Sequence, residues 1–128
     1  MNKYIMVLLF SAPGFWLYMA QPVFAQQNHT LQPSPPSSKG AELVFNPTKG
    51  NCIACHQLPN EPKASDIKAN IGPALAGIKQ RFPNGATLRE IIADASRRNP
   101  NTIMPPYGKH RILSEAEIEA VVAYLQTQ

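Results

Sequence analysis

Two cysteines are all that this chain of 128 residues holds, and they stand at positions 52 and 55. With both inside one short motif, there is no disulfide framework to build a fold on. Charge is sparse too: 12 basic residues face 8 acidic ones, a formal net charge of +4. So mild an excess argues for no nucleic-acid partner. No segment alternates convincingly enough to be a strand, and no internal repeat appears.

What is there begins with a leader. Lys3 supplies a positive start, Ile5 to Ala12 is almost unbroken apolar sequence, and Gln21-Pro-Val-Phe-Ala25 is a small-residue cleavage pattern. A spanning helix needs roughly 20 predominantly apolar residues, and Ser11, Pro13 and Gly14 interrupt this run. Residues 1–25 are therefore expected to be a cleaved signal peptide, sending the chain to the periplasm without a stable membrane anchor. No cysteine lies near Ala25, which argues against a lipid anchor.

Removing 25 of the 128 residues leaves 103, a small chain for a purely protein core. A large, flat, apolar cofactor would relieve that shortage. Residues 26–39 are polar and rich in Pro and Ser and have little to bury, so they read as a flexible leader. Residues 40–128 are the expected single domain. Ala41 to Phe45 can form a short helix that must end before Pro47. Thr87-Leu-Arg-Glu90 and Ser114-Glu-Ala-Glu117 each read as a capping box. Behind them Leu88, Ile91, Ile92 and Ala95, then Ile118, Val121, Val122 and Leu125, follow helical spacing. The expected fold is all-α, with three to four short helices and long loops rich in Pro, Gly and Asn.

The chemistry is concentrated in Gly50-Asn-Cys-Ile-Ala-Cys-His56. In Cys-x-x-Cys-His one turn sets two thiols along an edge of a porphyrin, where they add across the haem vinyl groups, and the following His reaches the iron. Three other readings compete. A thioredoxin-like pair needs a βαβ setting that is missing here. A structural zinc usually takes four ligands and would have to recruit His29 or His110. A disulfide across so short a loop gains little and leaves His56 unexplained.

Of the four methionines, at 1, 6, 19 and 104, three would leave with the signal peptide. Met104 is then the one thioether left to serve as second axial ligand, and Pro105-Pro106 stiffen the chain beside it. His110 is its rival. Pro73, in Ile71-Gly-Pro-Ala-Leu75, is a candidate to accept a hydrogen bond from the His56 ring, or else Gly72-Pro73 is only a turn. Arg81 and Arg111 are candidates to pair with a propionate. Leu75, Phe82, Ile103 and Tyr107 either line a haem pocket or belong to an ordinary core.

With those motifs in view, residues 40–127 resemble class I cytochromes c, which combine an N-terminal helix, Cys-x-x-Cys-His, Gly-Pro-x-Leu, Met-Pro and a C-terminal helix with Ala-Tyr-Leu. Lys49 to Gln57, Ala69 to Pro73 and, above all, Asn99 to Glu115 are similar to the SoxX family, the small monohaem subunits of SoxAX complexes of bacterial sulfur oxidation. The resemblance implies one haem c attached at Cys52 and Cys55 and ligated by His56 and Met104. It also implies a larger cytochrome partner, SoxA, at which thiosulfate is joined oxidatively to a cysteine of the carrier SoxYZ. Electrons released there would reach this chain's haem and pass to a downstream cytochrome c. The thiolate chemistry must lie on the partner, because no cysteine stands outside the haem motif here. The alternatives are a free-standing electron shuttle and, if the sixth iron position were open, a gas sensor or peroxidase.

Overall fold

The computed structural model describes residues 36–128. The expected signal peptide, the leader up to residue 35, and His29 lie outside the described residues. Four α-helices run in chain order: α1 (Pro36–Phe45), α2 (Ile78–Arg81), α3 (Ala86–Asp94) and α4 (Glu115–Leu125). Single 3-10 turns at Cys52–Ala54, Pro62–Ala64 and Ala95–Arg97 punctuate the loops, and the described residues hold no strand. None of the helices is long and apolar enough to cross a membrane, among the described residues.

Helix α1 begins at Pro36, ahead of the expected start at 41, and takes in residues 36–39 of the expected leader. Proline is well tolerated in the first turn, where its missing N–H has no intrahelical partner to lose. The face that matters carries Gly40, Leu43 and Val44, all buried. It crosses α4 at Gly40, where an added Cβ would stand 2.0 Å from the Ala120 carbonyl oxygen and 2.6 Å from Tyr124 Cβ. Only a residue without a side chain lets the two backbones approach this closely. The helix stops at Phe45, and the Asn46 side chain accepts from the Thr48 amide at 2.9 Å to start the next turn.

The second capping box forms as read: Ser114 Oγ accepts from the Glu117 amide, and Glu117 accepts from the Ser114 amide at 2.9 Å. The first does not. Helix α3 starts at Ala86 with Gly85 at its N-cap in the left-handed region (φ 70°). Asn84 Oδ1 accepts from the Ala86 amide at 3.1 Å, so the Asn-Gly pair opens the helix before Thr87 can cap it. Glu90 is thereby freed to pair with Arg98 at 2.9 Å. Arg89 bridges α3 to Glu115 and Glu119 of α4.

The core combines Leu43 and Val44 of α1, Leu88 and Ile92 of α3, and Ile118, Val121 and Leu125 of α4. Long loops between these helices close a hollow on one side of it.

Candidate functional site

Asn51 precedes the Cys-x-x-Cys-His segment in the left-handed region (φ 46°). The 3-10 turn that follows is closed by amides of Cys55 and His56 donating to the Cys52 carbonyl at 3.2 and 3.0 Å. Cys52, Cys55 and His56 thereby line one cavity of about 510 Å³, within the ~300–1,000 Å³ of ordinary cofactor sites. Burial pushes the Cys52 thiol up to about 11. The βαβ setting that a thioredoxin-like pair needs is missing among the described residues, which hold no strand. The two cysteines are not joined to each other by a disulfide. Among the described residues, no group of three or more His, Cys, Asp and Glu side chains converges as a metal site.

The His56 ring is fixed by the returning loop. Gly72 N donates to the Cys55 carbonyl and Leu75 N to the Gln57 carbonyl, both at 2.8 Å. These bonds bring the Pro73 carbonyl to 2.7 Å from His56 Nδ1. With Nδ1–H donating there, Nε2 is left as the ring's free lone pair. A Cβ on Gly72 would lie 2.3 Å from His56 Cε1 and 2.6 Å from Nδ1. The backbone of residue 72 therefore packs against the imidazole with no room for a side chain. Sequence reasoning treated Gly72 only as half of a turn; its neighbour Pro73 was the visible signal.

Met104 is half-buried and lines the same cavity from the loop after α3. Its amide donates to Thr102 Oγ1 at 3.2 Å. Farther along, amides of Tyr107 and Gly108 donate to the Ile92 and Ala93 carbonyls at the end of α3. Tyr107 is buried, and burial pushes its phenol up to about 12. The rival ligand His110 is exposed and does not line the cavity. Leu75, Phe82, Ile103 and Tyr107 all do.

Of the two arginine candidates, Arg81 stands at the cavity and donates to the Ala74 and Ala76 carbonyls at 3.1 and 3.3 Å. Arg111 is exposed, in the left-handed region (φ 56°), and does not line it. Arg98, not anticipated, does. The two exposed large apolar residues among those described, Ile71 and Ile103, both belong to the cavity wall.

A cavity with a mainly apolar lining, two cysteines and an imidazole on one turn, and a thioether on a separate loop fits a haem. Comparison with known proteins defines the class: residues 37–128 match the cytochrome c family model, and the chain belongs to the cytochrome c family. Membership implies covalently attached haem c and an electron-carrying role. More particularly, the chain is similar to a chain in the crystal structure of SoxXA from P. pantotrophus. That likeness has 29% identity and a TM-score of 0.59, over 71% of this chain and 80% of the other. The SoxX-like character and class I fold read from the sequence thus meet a solved structure. An uncharacterized lipoprotein of Aquifex aeolicus (strain VF5) is 35% identical over 77 residues, 60% of this chain. The match spans 36% of that relative's length.

Proposed function

We propose that this chain is the electron-accepting monohaem subunit of a SoxAX-type pair, exported to the periplasm. The observation that carries the reading is the single cavity whose wall includes Cys52, Cys55, His56 and Met104. Bound haem supplies a one-electron iron couple. Cys52 and Cys55 would hold it covalently, while His56 Nε2 and Met104 Sδ would ligate the iron. The bond from His56 Nδ1 to the Pro73 carbonyl fixes the ring and raises its donor strength. A thioether ligand raises the potential, which suits an acceptor. With His56 and Met104 both held for the iron, substrate chemistry there would be disfavoured.

The partner assignment draws on the likeness to a SoxXA chain. SoxA would carry the thiosulfate-coupling site, SoxYZ the receiving cysteine, and a downstream cytochrome c would take the electrons away. A permanent subunit needs a large, mainly apolar interface around its haem edge. A shuttle needs a small, polar, transient one.

Two measurements test the reading. The ferric protein is expected to show the Met–iron charge-transfer band. The natural source is expected to yield the chain co-purified with a larger cytochrome. Elution as a monomer at high concentration, with its natural partners present, would leave the free shuttle instead.

A further inference from the structure

Tyr107 stands three residues after Met104, on the same loop. Its hydroxyl donates to the carbonyl of Gly50 at 2.6 Å, a bond buried from solvent. Gly50 is two residues before Cys52, so this single contact ties the Met104 loop to the segment that enters the haem-attachment turn. The two segments are otherwise distant in sequence, at a separation of 57 residues.

Both ends of the tie are rigid. Gly50 is buried and pressed on α1, where an added Cβ would lie 2.3 Å from the Leu43 carbonyl oxygen. Tyr107 is held through its backbone: its amide donates to the Ile92 carbonyl at 3.2 Å, and its own carbonyl accepts from Ile112 and Leu113 at 2.9 and 3.0 Å. Between Met104 and Tyr107 lie only Pro105 and Pro106, whose fixed φ leaves the link little slack. A displacement of Met104 away from the cavity therefore pulls on the Tyr107 anchor, on its backbone bonds and on its hydroxyl bond to Gly50 together. Stretching the hydroxyl bond strands a buried carbonyl without a donor, which is the costly way to lose a hydrogen bond.

We infer that Tyr107 is a positioning residue that holds the Met104 thioether in place by strapping its loop to Gly50. The inference rests on the His56/Met104 reading above. The strap sets how readily Met104 leaves the iron, and so how well the sixth position is closed to outside ligands.

The test uses the haem-loaded protein and free imidazole as an external ligand, followed by loss of the Met–iron band in the ferric state. Tyr107→Phe keeps the ring and removes the strap. Its expected effect is an imidazole association faster and tighter by about two- to tenfold, the range set by one neutral hydrogen bond. Tyr124→Phe is the matched control. That tyrosine is also buried and donates to Glu61 at 2.8 Å, but it does not line the cavity. It should leave imidazole association at the wild-type value. Equal association by wild type and Tyr107→Phe overturns the strap. So does an equal acceleration in both variants, which would mean that general loosening is responsible. A wild-type ferric protein without the Met–iron band overturns the ligation reading itself, and shows this before any variant is compared.

Discussion

Replacing Met104 by Ala removes the one thioether from the cavity wall. The fold around it rests on other residues: the loop's anchors to α3 are backbone bonds from Tyr107 and Gly108, untouched by the change. Met104→Ala should therefore still bind haem through Cys52 and Cys55, lose the Met–iron band, and show a lower reduction potential. Redox titration with visible spectroscopy checks this; a wild type without the band, whose potential the substitution leaves unchanged, would transfer the ligand role to another residue such as His110. At this scale the sequence was legible where chemistry demands a residue type. Cysteine, imidazole and thioether announce themselves. Gly72 did not, because its importance is the space it leaves free: a Cβ there meets the His56 ring at 2.3 Å. That approach depends on the path of a returning loop, and spacing alone does not contain the path.

Among the elements, the crossing of α1 and α4 makes the clearest demand. An Ala for Gly exchange inside a helix ordinarily stabilises by about 1 kcal/mol. At Gly40 the sign should reverse, since the new methyl would overlap the Ala120 carbonyl, and forced repacking typically costs ~1–3 kcal/mol. Denaturant unfolding of Gly40→Ala checks the sign; a more stable variant would mean that the helices do not cross there. The start of α4 makes a second, pH-dependent demand. The Ser114 amide, and then the Lys49 ammonium at 2.9 Å, hold the Glu117 carboxyl below its ordinary range. A carboxyl depressed in the native state stabilises above its unfolded pKa, about 4.3, and loses that stabilisation as pH falls through the native value. Glu117→Gln should thus be less stable than wild type by a few tenths to about 1 kcal/mol near neutrality, with the gap closing below about pH 4. Thermal unfolding of both proteins across pH 3–7 reads it out, and a constant gap would exclude the ionised carboxylate as its source. The two capping boxes also show why element boundaries were only partly legible. Ser114 has no competitor upstream, whereas Asn84-Gly85 offers α3 an earlier entry than Thr87.

For the whole molecule, the helical fold could be read from periodicity and caps, but the cavity could not. Its wall is assembled from the haem-attachment turn, the Gly72-Pro73 loop, α3, the Met104 loop and α4, and no local pattern records how those segments meet. That assembly has an energetic consequence. An internal void costs roughly 24 cal/mol per Å³ in a protein core. For a hollow of about 510 Å³ that comes to on the order of 10 kcal/mol, an upper bound because the mouth is open to water. Domains of this size have only about 5–15 kcal/mol of stability in total. Without its cofactor the chain should therefore collapse into the hollow or unfold. Cys52→Ala/Cys55→Ala, which cannot attach haem covalently, is expected to lose most cooperative unfolding and much of its far-ultraviolet helical signal relative to the haem-loaded wild type. A double variant that melts cooperatively near the wild-type temperature would show that α1, α3 and α4 sustain the fold alone. In that case the haem would be a passenger in a finished core, and the smallness of the chain would need another explanation.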